Sequence, residues 1–120
     1  MDVRQPEIAF DRGLVAVGLE ARTSERVIRE LARRLRARGY VTRGFGGAVI
    51  KRERQYPTGL PTSVPVALPH TDAGSCLKSA LAVGVMRAPV AFHEMGNPQN
   101  TVRARVVFLL ALADAKDQVL

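Results

Sequence analysis

Residues 56–72 read YPTGLPTSVPVALPHTD, and proline recurs there at every fourth position, at 57, 61, 65 and 69. Proline lacks a backbone N–H donor and pushes the residue before it out of helical geometry, so this stretch cannot be a helix. We predict a rigid, extended loop over 56–70, in which only 66–68 has the character of a short or edge strand. His70, one of two histidines in the chain, follows that strand almost directly.

The N-terminal half combines strand-like and helical patterns. An apolar, β-prone run at 14–17 predicts a strand. A helix is predicted over 24–38, with Thr23 or Ser24 able to cap its start and Gly39 ending it. The helix prediction rests on apolar residues at helical spacing, which are Val27, Ile28, Leu31 and Leu35.

A second, shorter helix is predicted over 44–55, immediately before the proline-rich stretch. It carries glycines at 44, 46 and 47 near its start. These glycines do not form a dinucleotide-binding fingerprint, because both the spacing and the preceding strand are missing.

The C-terminal half is richer in strand patterns. Its predicted segments are a strand at 79–86, an extended connector at 89–92, a turn-rich loop at 93–100 and a strand at 106–113. The last is a continuous apolar run, typical of a strand buried on both faces, and Asp114 lies where a helix N-cap belongs. Together the elements predict a single α/β domain over residues 1–120, a mixed β-sheet flanked by helices.

Length and composition exclude several classes of protein. No apolar run in the 120 residues approaches the roughly 20 needed to span a bilayer, so we expect no membrane insertion. The N-terminus shows no apolar signal segment, which makes a cytoplasmic location the default expectation. The single cysteine, Cys76, excludes an internal disulfide framework and a cysteine-based zinc finger. No ligand cluster with suitable spacing is visible, so we expect neither a metal nor a cofactor.

The net charge of +7 is concentrated in one segment. Residues 22–38 hold seven arginines against two glutamates, a net charge of +5. The segment is interpreted as the solvated face of a surface helix, or as a stripe that binds nucleic acid. The scarcity of lysine, the two glutamates and the lack of aromatic residues for base stacking favour the first interpretation. We therefore expect no nucleic-acid partner.

His70 is the leading candidate for chemistry. Held between a proline and a polar pair, a neutral imidazole can attack a phosphoryl or acyl group through one nitrogen while an acceptor orients the other. Asp72, Thr71 or a backbone carbonyl could be that acceptor, and an ordinary surface histidine is the alternative. His93 is expected to be an exposed loop residue. Cys76 is expected to be a partly buried thiol, unless His70 activates it as a nucleophile.

Arg52 and Glu53 are open to two interpretations as well. They could form an ordinary pair on the surface of the second helix. Alternatively, Arg52 could be a fixed guanidinium that binds phosphate oxygens in bidentate fashion.

The motifs taken together resemble a known family. Arg52-Glu53, then the turn at 57–60 (PTGL), then 66–71 (VALPHT) are followed by Pro89-Val90, Phe92, Met95-Gly96 and the hydrophobic strand at 106–113. This ordered set resembles the enzyme IIA domain of the fructose/mannitol superfamily, a component of the sugar phosphotransferase system. The resemblance covers residues from about 13 to the end of the chain. It implies the mannitol/fructose-type IIA fold.

The resemblance also implies a function. His70 would accept a phosphoryl group from phospho-HPr and pass it to a cysteine of a IIB component, so the protein would be a phosphotransferase component with a phosphohistidine intermediate. Arg52 would stabilise the phosphate charge, and Thr58 and Thr71 match neighbouring polar positions. A membrane IIC component would be a functional rather than a physical link. The alternative is a regulatory IIA-like protein whose phosphorylation state controls partner binding.

Two departures from the family pattern refine the expectation. Members of the mannitol and fructose type usually carry a second histidine where this chain has Gln118, and galactitol-type members carry a glutamine there. The resemblance therefore points to the galactitol-specific branch, with Gln118 as a further phosphate-stabilising residue. Family domains also continue about 25–30 residues further, so we expect a C-terminally shortened domain. An exposed apolar face on 106–113 would favour homo-oligomers.

Overall fold

The computed structural model describes residues 7–113. In chain order its elements are β1 (Val15–Leu19), α1 (Ser24–Ala37), α2 (Phe45–Gln55), β2 (Gly59–Leu60), β3 (Val66–Ala67), β4 (Ala80–Glu94) and β5 (Asn97–Ala111), with short 3-10 turns at Arg12–Leu14 and Ala73–Ser75. The predicted helix start at Asp114 lies outside the described residues. No helix within 7–113 is long and apolar enough to span a membrane.

The strands form one mixed sheet in the order β1-β4-β2-β3-β5, in which β4 also pairs directly with β5. β4 runs parallel to β1 and β2 and antiparallel to β5. β3 runs parallel to β5 and antiparallel to β2. The predicted α/β fold with a mixed sheet is thereby confirmed.

α1 packs its apolar face against the sheet, as the helical spacing predicts. The Thr23 hydroxyl accepts a hydrogen bond from the Arg26 N–H at 3.2 Å, so Thr23 is the N-cap. The helix ends close to Gly39, which adopts a φ of +76°. Its buried residues are Val27, Ile28, Leu31, Ala32 and Leu35. The helix is therefore held by burial of one stripe, while four of its five arginines are exposed. The fifth, Arg34, is half-buried and donates a hydrogen bond to the Gly13 carbonyl at 3.4 Å.

α2 spans the predicted segment within one residue. Phe45, Val49 and Ile50 are buried on its inner face. A Cβ built on Gly46 would lie 3.4 Å from Ala32, so small residues at both positions let α1 and α2 pack closely. The prediction of a helix in spite of its three glycines is confirmed.

The largest correction concerns residues 89–100. The predicted connector at 89–92 and loop at 93–100 are wrong, because β4 continues to Glu94 and β5 begins at Asn97. Only Met95 and Gly96 form the turn, and Gly96 has the positive φ of +77° that a tight turn needs. The tip is exposed on both faces, so its polar composition reflects solvation of a long hairpin rather than a loop.

The strand at the end of the described chain also differs from expectation. The prediction that 106–113 is buried on both faces is wrong within the described residues. Val107, Leu109 and Ala111 are fully buried, whereas Phe108 and Leu110 on the opposite face are half-buried. The strand also begins nine residues earlier than predicted, at Asn97.

Gly59 joins the hairpin to the segment that carries His70. Its Cα pairs with Ala67 on one side and Glu94 on the other, and its carbonyl accepts the Met95 N–H at 2.8 Å. A Cβ at position 59 would lie 2.6 Å from the His93 carbonyl oxygen and 3.2 Å from Val102 Cβ. Only glycine fits between these strands.

Substitution Gly59→Ala should therefore lower the free energy of unfolding by about 1–3 kcal/mol, because the added methyl group must displace backbone. Urea unfolding measures the change. Gly47→Ala is the control, since a Cβ there meets no atom within 4 Å. It should be neutral or stabilising by up to about 1 kcal/mol through helix propensity. Equal stability of Gly59→Ala and the unsubstituted protein would contradict this account of the junction.

Candidate functional site

His70 is carried on a segment that is fixed to the sheet just before it. Val66 and Ala67 pair with Val106 and Val107 of β5. Pro69 is fully buried, and its carbonyl accepts the Leu110 N–H at 3.1 Å. The backbone on the N-terminal side of His70 is therefore held by β5, while the His70 side chain is half-buried.

The orientation of the imidazole is set by a backbone carbonyl. His70 Nδ1 lies 2.8 Å from the Leu68 carbonyl oxygen. Because a carbonyl oxygen can only accept, Nδ1 must donate, and in the neutral ring the lone pair is then on Nε2. Of the three acceptors considered from sequence, the carbonyl is the one observed. Asp72 instead accepts the Gly74 N–H at 3.1 Å and caps the following 3-10 turn.

Two hydrogen-bonded side chains support the same segment from beneath. The Thr58 hydroxyl accepts the Leu68 N–H at 3.1 Å and donates to Glu53 Oε1 at 2.8 Å. The Thr58 N–H donates to Glu53 Oε2, also at 2.8 Å. A continuous chain of hydrogen bonds thus runs from Glu53 through Thr58 to Leu68, whose carbonyl holds His70.

Glu53 is buried, with 9% of its surface exposed. Burial raises the pKa of its carboxyl above the ordinary value of 4.5, and the two hydrogen bonds from Thr58 and the charge of nearby His93 offset part of that rise. Sequence reasoning missed this role, because it treated Glu53 only as the surface partner of Arg52. The only sequence signal for this contact was the position of Glu53, five residues before Thr58 in the turn that leads to β2.

Arg52 lies on the last turn of α2 and is exposed. Its guanidinium carbon lies 5.0 Å from the centroid of the Tyr56 ring, a cation–π contact. The alternative interpretation of Arg52 and Glu53 as a surface pair is wrong, because Glu53 turns inward to Thr58 while Arg52 stacks on Tyr56. The guanidinium is held by an aromatic face rather than by a carboxylate.

The other sequence-predicted residues are placed as follows. Thr71, directly after His70, is buried, with 6% exposure. Gln118 lies outside the described residues. Burial raises the pKa of the Cys76 thiol, which keeps it in the neutral form and disfavours a nucleophilic role.

His93 is exposed, as predicted, but it lies on β4 rather than in a loop, close to Glu53. Within residues 7–113 there is no group of three or more His, Cys, Asp or Glu side chains that could hold a metal ion.

A comparison with known protein families finds a match over most of the chain. A family model described as "Phosphoenolpyruvate-dependent sugar phosphotransferase system, EIIA 2" matches residues 9–120. The chain therefore belongs to the type 2 enzyme IIA family of the sugar phosphotransferase system.

The chain is also similar to individual proteins and solved structures. The transcriptional regulator ManR of Bacillus subtilis is 29% identical over 99 residues, which cover 82% of this chain. The chain spans only 14% of the length of that regulator. The crystal structure of IIA mannitol from Escherichia coli is 25% identical, with a TM-score of 0.73, covering 93% of this chain and 78% of that one.

A further similar structure is the complex of enzyme IIAMtl with phosphorylated enzyme IIBMtl from Escherichia coli. It is 24% identical, has a TM-score of 0.75 and covers 94% of this chain and 77% of that one. The mannitol-type IIA fold expected from the resemblance is thereby confirmed. The galactitol-specific branch is not confirmed by these comparisons.

Thr58→Val should lower the free energy of unfolding by about 1–3 kcal/mol, because it leaves the Leu68 N–H without an acceptor and Glu53 Oε1 without a donor. Thr58→Ser keeps the hydroxyl and is the matched control. Its free energy of unfolding should fall clearly less than that of Thr58→Val. Urea unfolding of both variants checks the difference. If valine and serine prove equally tolerated, the Thr58 hydroxyl does not support this segment.

Proposed function

We propose that this protein is a phosphoryl carrier in which His70 Nε2 is the phosphoryl acceptor. The observation that carries the proposal is the 2.8 Å hydrogen bond from His70 Nδ1 to the Leu68 carbonyl oxygen. It gives the neutral ring one defined nucleophilic nitrogen, on a backbone anchored to β5. Membership of the enzyme IIA family supports phosphoryl transfer as the reaction.

The proposed transfer balances without an added cofactor. The Nε2 lone pair attacks phosphorus, and the bond between phosphorus and the donor breaks as the new N–P bond forms. The proton on Nδ1 stays in its hydrogen bond to Leu68 throughout. In the second half of the cycle an acceptor nucleophile attacks the phosphohistidine, and the N–P electron pair returns to Nε2.

The other candidate site residues have proposed roles of their own. Arg52 neutralises charge on the phosphoryl oxygens, which is the main requirement of a loose phosphoryl-transfer transition state. Thr58 acts through Leu68, because both hydrogen bonds of its hydroxyl are made within the chain. Glu53 is likewise a positioning residue. Thr71 and Gln118 remain proposed phosphate-stabilising residues from the family resemblance.

The partners and the pathway follow from the family. We propose phospho-HPr as the donor and a IIB component as the acceptor, in the cytoplasm, with a membrane IIC component completing uptake. The structure of a IIA protein in complex with phosphorylated IIB supports the IIB partner. Gln118 supports a sugar or polyol of the galactitol type. A IIA domain over residues 1–120 and the formation of homo-oligomers both stay predictions.

A regulatory role is the second candidate, and the likeness to ManR favours it, since that relative is a transcriptional regulator. In this case phosphorylation of His70 would add a charge of about −1.5 to −2 at one spot and thereby change the affinity for a partner. Genes for IIB and IIC components beside this one would support transport. Transfer of the phosphoryl group from His70 to a IIB component would support transport directly.

The acceptor residue is tested by incubation with phosphoenolpyruvate, enzyme I and HPr, followed by intact-mass spectrometry at neutral or alkaline pH. The unsubstituted protein should gain one phosphoryl group, and His70→Ala should gain none, because the nucleophile is gone. His93→Ala replaces the other histidine and should be labelled like the unsubstituted protein. Label on folded His70→Ala, or an absence of label on the folded unsubstituted protein, would contradict the proposal.

Arg52→Ala should slow phosphorylation of His70 by about tenfold to a hundredfold, because one charge-stabilising guanidinium is lost. Arg52→Lys keeps the charge without the bidentate geometry and should lie in between. The control is Arg54→Ala, because the Arg54 side chain pairs with Glu25 on α1. Quenched-flow labelling measures the rates. Equal slowing in the Arg52 and Arg54 variants would assign the effect to general charge instead.

A further inference from the structure

Two features of the sequence are not used by the proposed function, the basic helix and the glycines at the start of α2. The structure brings them together in one groove between α1 and α2, with a volume of about 180 Å³. We call it the arginine groove. It is lined by Arg29, Arg33, Arg36 and Arg43 together with Ala32, Thr42, Gly46 and Gly47.

The groove carries a strong excess of positive charge. Arg33 is paired with Glu30, whereas Arg29, Arg36 and Arg43 have no carboxylate partner in the described part of the chain. No acidic residue lines the groove. Guanidinium groups that line one groove repel one another, so an anion bound between them would relieve that repulsion as well as accept their hydrogen bonds.

The floor of the groove is open backbone. Gly46 and Gly47 bring no side chain, and a Cβ on Gly47 would meet no atom within 4 Å. Gly44, the N-cap of α2, gives no side-chain cap to the first turn. The Phe45 N–H already donates to the Thr42 carbonyl at 3.2 Å. The next first-turn N–H groups, those of Gly46 and Gly47, have no partner within the helix ladder and can add hydrogen-bond donors to the charge of the arginines.

The size and surroundings favour a small ligand over a long polyanion. The groove volume of about 180 Å³ suits one phosphate group and a few attached atoms. A second groove, along α1, shares Arg29 and Arg33 but is also lined by Glu20 and Glu30. A nucleic-acid strand following the helix would meet these carboxylates, and the arginine groove offers no aromatic ring for base stacking.

The arginine groove shares no lining residue with the His70 site. Gly46 and Gly47 are at the N-terminal end of α2, whereas Arg52 and Glu53 are at its C-terminal end. At 1.5 Å per residue the two pairs of residues are about 9 Å apart along the helix axis. We propose that the arginine groove binds the phosphate group of a small phosphate monoester, at a site independent of the phosphoryl-accepting histidine.

The proposal is tested by titrating the ¹⁵N-labelled protein at low salt with inorganic phosphate and with glucose 6-phosphate. The amide signals of Gly46 and Gly47 should shift and saturate, and the His70 ring signals should not. Arg36→Ala combined with Arg43→Ala should raise the apparent Kd by about tenfold or more. The matched control is Arg103→Ala with Arg105→Ala, which removes the same charge from exposed positions of β5 and should leave the Kd unchanged.

Three outcomes would overturn the proposal. The first is an absence of saturating shifts for both phosphate compounds at millimolar concentration. The second is an equal loss of binding in the β5 control, which would show a general effect of net charge. The third is tighter, steeply salt-dependent binding of a DNA oligonucleotide through the same arginines, which would identify a polyanion surface. Because no arm depends on phosphorylation of His70, failure here leaves the proposed function untouched.

Discussion

The candidate site depends on a chain of hydrogen bonds that starts at the buried carboxylate of Glu53. Thr58 gives that carboxylate two donors and uses the same hydroxyl to accept the Leu68 N–H. Leu68 in turn fixes the His70 ring through its carbonyl. The last turn of α2, the turn into β2 and the end of β3 are thereby joined, so the orientation of one imidazole is determined by three elements of the fold.

Burying the Glu53 carboxylate costs free energy, and that cost is offset only in one arrangement of the neighbouring backbone. Burial raises the pKa of Glu53, which means that its charged form is disfavoured by the surrounding protein. The hydrogen bonds from Thr58 recover part of this cost only when the turn after α2 is correctly placed. The close approach at Gly59 locks the same turn against the β4–β5 hairpin. Stability and site geometry thus depend on the same few contacts.

The sequence predicts the elements that form through local patterns. Apolar spacing and Thr23 locate α1, and four prolines correctly exclude a helix around His70. The long hairpin was not predictable, because its polar tip looks like a loop until strand pairing is known. β2 has only two residues, Gly59 and Leu60, and it exists only through its pairings with β3 and β4.

The candidate site shows the same limit. The order of the motifs singles out His70, Arg52 and Thr58. It does not predict which role each of the three residues has. The acceptor for His70 Nδ1 is a main-chain carbonyl, which leaves no mark in a sequence. The burial of Glu53 depends on how the turn folds back over α2. The grouping of four arginines with two glycines likewise appears only when α1 and α2 are packed together.

The central claim is that the Leu68 carbonyl leaves Nε2 as the nucleophile of His70. Long-range ¹H–¹⁵N NMR of the imidazole tests this claim most directly. Spectra are recorded before and after phosphorylation with phosphoenolpyruvate, enzyme I and HPr. At a pH where the ring is neutral, we expect its proton on Nδ1, and after phosphorylation we expect the phosphoryl group on Nε2. A free ring protonated on Nε2, or a phosphoryl group on Nδ1, would contradict it.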